Sequence, residues 1–201
     1  DIPAMLIPEW LKSLERLEQE VLWIQHRFEE HGGMQDRFLG TGCVTPELAE
    51  SLGLSGLAGR ASGQNYDIRV DTGMAPYAQL NLHKQVRREG DVAARVQIRF
   101  AELLSSIQLT GQLLATLPPG PVMVTMPGHL VDGHGHGWVE GWRGGVLVSV
   151  YIHANALQRV HVQDPSWQNW PVLEHAIMDN IVADFPLINK SFNLAYAGHD
   201  L

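Results

Sequence analysis

The chain is poor in cysteine, in basic residues and in long apolar runs, and each shortage excludes a class of function. Its 201 residues include one cysteine, Cys43, so the chain alone cannot form an internal disulfide or a multi-cysteine zinc or iron–sulfur site. No apolar run approaches the ~20 residues that a membrane-spanning helix needs. The chain has 14 Lys and Arg residues against 22 Asp and Glu, a net charge of −8. This balance argues against a nucleic-acid partner, which requires a basic surface.

The sequence does contain enough apolar material for one substantial core. Apolar residues make up 45% and charged residues 18% of the chain, which excludes a disordered protein. We expect a single domain over residues 1–201, or one large piece of a bigger protein. Its predicted fold is mainly α (α+β), with a helical region 9–120, a small antiparallel sheet 121–163, and a C-terminal helix and tail 164–201. A lone cysteine is more often buried than reactive, so Cys43 is expected in the core.

Two long amphipathic helices are predicted in the first region. The first runs from about Glu9 to His31, because apolar residues recur there every three or four positions. They are Trp10, Leu14, Leu17, Val21, Ile24 and Phe28. The second begins after the cap Asp91 and ends at the proline-rich run 118–121. Thr45 and the proline after it start a short helix, whereas no period holds from 54 to 82, where we expect an ordered but irregular segment.

Strands follow and then one more helix. The sheet is predicted from apolar, β-branched runs between glycine-containing turns, at 122–126, 137–140, 145–152 and 157–162. The last helix is predicted from Val172 to about Ala183, with Pro186 ending it and an irregular tail behind.

The glycine-rich segment 129–136 contains three histidines, His129, His134 and His136. If the segment were extended, the last two would share a side and, with Asp132, could form a site for zinc, copper or nickel. We favour the simpler interpretation, a flexible and solvated loop, because glycine-rich flanks do not hold ligands in place.

A polar strip on the second long helix is the clearest candidate for chemistry. Arg95, Arg99 and Glu102 fall at positions i, i+4 and i+7 of an otherwise apolar helix. Either the strip is a solvated face, or it faces the irregular segment that carries Arg60 and other charged residues, forming a buried network. The spacing alone leaves both alternatives open.

The residues from Ser55 to Arg69, SGLAGRASGQNYDIR, resemble the segment S-G-x-x-x-R-x-S-G-x-x-x-D-x-R. This segment is typical of the family shared by the large subunit of membrane-associated nickel–iron hydrogenases and the D-type (49 kDa class) subunit of respiratory complex I. Later motifs continue the resemblance. They include the G-D-x-x-x-R…R…E helix at 90–102, the strand motif at 137–144 and the P-S-x-x-N motif at 165–169. The resemblance covers nearly the whole chain from about Leu14 onward and implies a hydrogenase large-subunit-like fold.

The chain departs from the nickel enzymes of this family at its carboxyl end. Those enzymes close with D-P-C-x-x-C, whose thiolates hold the metal, whereas Ala195 and Gly198 stand here at the two cysteine positions. Neither side chain can ligate a metal, so we expect no nickel site and no cofactor bound by this chain. The chain is expected to correspond to roughly the C-terminal two-thirds of a large subunit.

The resemblance implies an oxidoreductase subunit of an NADH:quinone oxidoreductase-like or hydrogenase-like complex. Its expected partners are an iron–sulfur small subunit and other subunits, at the cytoplasmic face of a membrane, with a quinone in the parent complex. Six candidate site residues are carried over from the family motifs: Arg60, Asp67, Arg69, Glu102, Glu140 and Arg143. The arginines would stabilise a reduced, anionic quinone. The acids would move protons if burial raised their pKa values, with Arg143 holding Glu140.

Two rival interpretations remain. In the first, the chain is a structural or assembly subunit that docks the iron–sulfur partner and has no chemistry of its own. In the second, which we rank last, it is a metal sensor that uses segment 129–136. We expect the isolated chain to be inactive and to self-associate through surface that partners would cover.

Overall fold

A computed structural model describes residues 3–125 and 128–199 of the chain. The described part contains eight α-helices, four short 3₁₀ turns and one three-stranded antiparallel sheet. The helices are α1 (Ile7–Glu30), α2 (Gly32–Phe38), α3 (Pro46–Ser51), α4 (Gly56–Ala61), α5 (Ile68–Asp71), α6 (Val92–Ala115), α7 (Pro165–Ala176) and α8 (Phe185–Phe192). The strands are β1 (Gly133–Gly141), β2 (Gly144–His153) and β3 (Ala156–Gln163), in the order β1-β2-β3. The predicted fold class, mainly helical with a small antiparallel sheet, is confirmed.

The two long helices, α1 and α6, pack against each other. The predicted cap of α6 is present, because the Asp91 carboxylate accepts a hydrogen bond of 2.7 Å from the Ala94 N–H. On α1, Val21 and Phe28 are buried, whereas Leu17 and Ile24 are 41% and 50% exposed. Thus only half of the predicted apolar seam is covered by α6 and its neighbours.

The segment 54–82 is more regular than its sequence suggests. It contains α4, α5 and a 3₁₀ turn at Tyr77–Gln79, so the prediction of an irregular segment is wrong for these stretches, whereas the residues between them form no helix or strand. Each of these helices has six residues or fewer, too few for a helical period to be recognised. Local signals do explain them: Asp67 caps α5 through the Arg69 N–H, at 3.0 Å. Thr45 caps α3 in the same way, as predicted.

The sheet differs from the prediction at its start. Residues 122–125 are not a strand, and Met126 lies outside the described residues. Strand β1 begins at Gly133 rather than at residue 137, so the interpretation of 129–136 as a flexible loop is wrong for its second half. Pairing of β1 with β2 from Gly133 onward holds these glycines extended.

The C-terminal region contains two helices where one was predicted. Helix α7 begins at Pro165 after the cap Asp164 and ends at Ala176, whereas the prediction placed a helix at 172–183. Pro186 lies in the first turn of α8 rather than ending a helix. The physical reason is that a proline is tolerated at the first helical positions, where its missing N–H has no partner to lose.

The main core lies between the start of α6, the short helices and the C-terminal pair. Its buried members are Val44, Ala49, Leu54, Ala58, Val92, Val172, Leu173, Ala176, Ile188, Phe192 and Leu194. A smaller group on α4 and α6, including Leu57 and Ile98, fixes the distance between these two helices. None of the helices described is both long enough and apolar enough to cross a bilayer.

Candidate functional site

Arg60 lies at the centre of a buried group of charges. Its side chain, on α4, is 2% exposed. Its Nε donates to Glu102 Oε1 on α6 at 2.5 Å, and its Nη1 donates to Glu140 Oε1 on β1 at 2.9 Å. The same Nη1 donates to the Tyr66 carbonyl oxygen at 3.2 Å. One guanidinium therefore ties α4 to α6, to the sheet and to the segment before α5.

Asp67 and Arg69 extend this group. The Arg69 guanidinium binds Asp67 through two parallel hydrogen bonds, Nε to Oδ1 at 3.0 Å and Nη2 to Oδ2 at 2.7 Å. Asp67 Oδ2 also lies 3.6 Å from Arg60 Nη1. We call the five residues Arg60, Asp67, Arg69, Glu102 and Glu140 the acid–arginine cluster. Five of the six predicted site residues are thus brought together. Of the polar strip on α6, Glu102 joins this buried network, as the network alternative predicts.

The electrostatics of the cluster keep its charges in place. Desolvation acts to raise the pKa of Asp67, but hydrogen bonds from Arg69 and the positive charge of Arg60 outweigh it, so the pKa is lowered. Burial acts to lower the pKa of Arg60, but its bonds to Glu102 and Glu140 raise it above the usual range. The condition set for proton movement by the acids, a raised pKa, is therefore not met at Asp67. Three carboxylates against two guanidiniums give the cluster a formal charge of −1.

The cluster forms one wall of a cavity of about 250 Å³. The lining residues are Leu57, Arg60, Arg69, Arg99, Glu102, Leu103, Ser106, Glu140, Gly141 and Trp142. Glu102 and Arg69 are the cluster members with side chains that reach the surface, at 18% and 17% exposure. A ligand in this cavity would therefore meet one carboxylate and one guanidinium edge rather than the whole cluster.

Arg99 adds a further positive charge to this cavity. Its Nη2 donates to the Ser191 carbonyl oxygen at 2.9 Å, and its guanidinium lies 5.6 Å from the centre of the Trp142 ring. Burial lowers its pKa. Within residues 3–125 and 128–199, no carboxylate oxygen lies within 4 Å of its guanidinium nitrogens. The sequence analysis included Arg99 in the polar strip but not among the site residues. The signal that could have identified it is its position three residues before Glu102 on the same helix.

Arg143 and Arg95 do not join the cluster. Arg143, predicted to hold Glu140, instead donates to the Asn193 carbonyl oxygen, because it lies in the turn between β1 and β2, where the chain approaches the end of α8. Arg95 is fully buried and donates to the carbonyl oxygens of Gly42 and Gly90. The predicted pairing of Arg143 with Glu140 is therefore wrong, and the polar strip on α6 divides between two environments.

Glu140 also lines a second cavity of about 460 Å³, next to Tyr66 and Trp138. The centres of these two aromatic rings are 6.4 Å apart. The remaining lining residues are Gly53, Ser55, Gly56, Ile68, Gly145, Leu147, Gln163, Pro165 and Gln168. Glu140 is thus the one cluster member that borders both cavities as described.

The other candidates for chemistry have different outcomes. Cys43 is exposed rather than buried, and partial desolvation together with the nearby Asp91 charge raises the pKa of its thiol. Asp132, the third ligand of the possible metal site, binds His153 Nδ1 at 2.7 Å instead. Across the described ranges, no three His, Cys, Asp or Glu side chains are placed to hold a metal ion.

The two positions that carry cysteines in the nickel enzymes are packed against α7. The Ala195 N–H donates to Ser166 Oγ at 3.0 Å. A Cβ atom at Gly198 would lie 2.6 Å from Asp164 Cγ, so a cysteine side chain there requires a shift of the backbone or of Asp164. The residues present therefore do not fit a thiolate-held metal.

Comparisons with known proteins agree with the motif at 55–69. A family model described as the 49 Kd subunit of respiratory-chain NADH dehydrogenase matches residues 1–134. NADH-quinone oxidoreductase subunit 4 of Thermus thermophilus is 30% identical over 96% of this chain and 54% of its own length. Formate hydrogenlyase subunit 5 of Escherichia coli is 29% identical over 83% of this chain and 30% of its own length.

The fold is also found in a solved respiratory complex. A chain in the structure of the membrane-bound sulfane sulfur reductase, an archaeal respiratory membrane complex, superposes with a TM-score of 0.87 at 28% identity. The match covers 96% of this chain and 56% of that chain. The predicted family resemblance and large-subunit-like fold are confirmed. The chain spans about half the length of the first curated relatives that it matches, rather than the expected two-thirds.

Proposed function

Because this chain belongs to the family of the 49 Kd subunit of respiratory-chain NADH dehydrogenase, we propose that it supplies one wall of a redox cavity in the large subunit of a complex I-like or hydrogenase-like respiratory complex. The observation that carries this proposal is the convergence of five predicted residues on a buried cluster beside a cavity of about 250 Å³. Burying charges carries a desolvation cost that pairing offsets only in part, although each charged group of this cluster has a partner of opposite sign. The partners would be an iron–sulfur subunit and further subunits at the cytoplasmic face of a membrane.

The residues of the cluster would divide the work. Arg60 is a positioning residue, because its hydrogen bonds fix Glu102 and Glu140. Glu102 reaches the cavity and would exchange a proton there. Asp67 stays ionised and orients Arg69, whose guanidinium, together with that of Arg99, provides positive charge along the cavity.

The substrate proposed for this cavity is a quinone headgroup. A quinone that binds there would supply oxygens that take up negative charge on reduction. Arg69 and Arg99 would favour that charge, since preorganised cationic donors stabilise a developing oxyanion. Arg143 would act indirectly, because it ties the β1–β2 turn next to the cavity to the end of α8.

The test is to replace Glu102 by Gln in the full-length subunit, within the assembled complex. We expect the rate of electron transfer to quinone to fall by about 10²-fold or more, with assembly of the complex unchanged, because the amide retains the shape and the bond to Arg60 but cannot carry a proton. The exposed Glu50→Gln is the matched control and should leave the rate unchanged. An unchanged rate in Glu102→Gln would remove this acid from the mechanism.

A purely structural function is the second candidate, and one observation favours it. The guanidinium groups of Arg60 and Arg69 are already bound to carboxylates, as expected if the cluster only holds α4, α5 and β1 together. In that case, Arg60→Ala would prevent assembly with the iron–sulfur partner, whereas Glu102→Gln would leave both assembly and electron transfer intact. Measuring both properties in both variants separates the two functions.

A further inference from the structure

The sheet has two chemically unlike faces. Strand alternation places His134 and His136 of β1 on the same face as Ser149 and Tyr151 of β2. The opposite face carries glycines and aliphatic side chains: Gly133, Gly135, Gly137, Val139, Val146, Val148, Val150, Val160 and Val162. Because the first set contains donors and titratable groups, we call it the polar face of the sheet.

Two residues of β3 complete the polar face. In the register of the sheet, Arg159 lies directly opposite Tyr151, and His161 lies opposite Ser149. The sheet therefore aligns two rows across its three strands, His134–Tyr151–Arg159 and His136–Ser149–His161. Five of these side chains line a cavity of about 420 Å³: His134, Ser149, Tyr151, Arg159 and His161.

Stacking holds part of the polar face in one arrangement. The His134 and Tyr151 rings are 4.6 Å apart between centres and inclined by 19°. Tyr151 is also parallel to His153, at 6.4 Å, and Asp132 fixes the His153 ring through a contact of 2.7 Å. The stacked pair thus holds two of the five lining side chains, His134 and Tyr151, in place, which reduces the entropy cost of binding at these two residues.

The charges of the cavity are of one sign. Arg159 is a permanent cation, and in the described part of the chain no carboxylate oxygen lies within 4 Å of its guanidinium. The lining contains no Asp or Glu. Asp132, which precedes β1, is engaged with His153, and Asp164, which follows β3, accepts a hydrogen bond from the Ser166 N–H. A lining with one arginine and no acid is unexpected on a chain of net charge −8. It leaves the Arg159 charge without a carboxylate partner among the described residues.

We propose that this cavity binds the phosphate group of a ligand. A guanidinium fork pairs with two oxygens of a phosphate. The hydroxyl groups of Ser149 and Tyr151 and the imidazoles of His134 and His161 supply further donors around the same space. The site does not depend on the proposed redox function, because it uses none of the acid–arginine cluster.

A phosphate group could come from a free phosphate compound or from the headgroup of an anionic lipid, and two measurements distinguish these sources. The first is isothermal titration of the full chain with inorganic phosphate. The second is co-sedimentation with vesicles of phosphatidic acid mixed with phosphatidylcholine, compared with vesicles of phosphatidylcholine alone. Both use wild type, Arg159→Gln and, as a matched surface arginine, Arg16→Gln.

We expect saturable binding in at least one measurement, weakened about tenfold or more by Arg159→Gln and unaffected by Arg16→Gln, since a charge-assisted pair is lost only in the first. Saturation by phosphate alone indicates a free ligand, and binding to anionic vesicles indicates a headgroup. The proposal is overturned if neither measurement saturates, or if Arg159→Gln binds as tightly as wild type.

Discussion

Arg60 joins three segments of the chain through a single side chain. Replacing it by Ala leaves the carboxylates of Glu102 and Glu140 buried without their cation. We expect a loss of about 3–5 kcal/mol in the free energy of unfolding, the usual result when one member of a buried pair is removed. The loss for Arg60→Lys should lie between zero and the loss for Arg60→Ala. Lysine keeps the positive charge but lacks the planar guanidinium that binds two carboxylates at once.

Denaturant unfolding at pH 7 measures this loss. Arg16→Ala is the matched control, because Arg16 forms an ion pair with Glu20 but is 83% exposed, and it should change stability by no more than about 0.5 kcal/mol. Equal effects of Arg60→Ala and Arg16→Ala would contradict the central role of Arg60.

The lowered pKa of Asp67 predicts a pH dependence of stability. A carboxyl group with a lower pKa in the folded state stabilises the fold fully above its unfolded value, about 3.9. That contribution is lost as the pH falls through the folded value. The difference in unfolding free energy between wild type and Asp67→Asn should therefore be largest near pH 7 and shrink below about pH 4.

Chemical unfolding of both proteins at pH 7 and pH 3 tests this dependence. Asn can still cap α5, so the comparison isolates the charge. A difference that stays constant over this range would show that the ion pairs of Asp67 contribute nothing.

At the residue scale, the sequence predicted which residues belong to the cluster better than it predicted which of them contact each other. Arg60, Asp67 and Arg69 were identified because they match a family motif. Such a match indicates where a residue lies in the fold as well as its type. The predicted pairing of Glu140 with Arg143 was wrong because their spacing of three residues does not show how the β1–β2 turn directs the Arg143 side chain. Only the three-dimensional path shows that Arg60, far away in sequence, is the cation of Glu140.

Among the elements, the junction before α6 depends on Gly90. Its φ is +65°, its carbonyl oxygen accepts from the Val44 N–H at 3.0 Å, and a Cβ atom would lie 1.9 Å from the Val44 carbonyl oxygen. Gly90→Ala should therefore cost about 3 kcal/mol, from backbone strain together with a clash that backbone atoms cannot relieve.

Gly73 provides the control for this change. It has nearly the same φ, +64°, but open space around the position of a Cβ atom. Gly73→Ala should cost only the strain, about 1 kcal/mol. Thermal or denaturant unfolding of the two variants separates the steric part from the conformational part, and similar losses would rule out the clash.

Element length decided what could be predicted at this scale. Helices α1 and α6, with 24 residues each, carry several turns of apolar period, and their positions were predicted within a few residues. Helices α4 and α5 and the entry to α7 depend on tertiary packing and caps rather than on a period. The error at Pro186 has a different cause, because a proline can mark the start of a helix as well as its end.

The molecule as a whole leaves apolar side chains of α1 uncovered. Trp23 is 62% exposed and Ile24 50%, and Leu17 lies on the same helix at 41%. We expect the purified chain to self-associate, with a mass by light scattering that rises above 22.3 kDa as concentration increases. Ile24→Glu should reduce this association, whereas Lys12→Glu, at an exposed polar position of the same helix, should not. A monomeric mass at every concentration would contradict the expectation.

The hairpin between β2 and β3 has a consequence for how this sheet can vary. Its two-residue turn, Ala154 and Asn155, has φ values of 51° and 61°, the left-handed pair that matches the twist of the flanking strands. The register of β3 shifts by one residue just after this turn, because Leu157 pairs with Ile152 but Arg159 pairs with Tyr151. Without that irregularity, Gln158 would lie opposite Tyr151, and Arg159 would lie opposite Val150 on the aliphatic face. The cationic character of the third strand therefore depends on one unpaired residue, and a natural or designed relative without it should present Gln158 and Val160 on the polar face in place of Arg159 and His161.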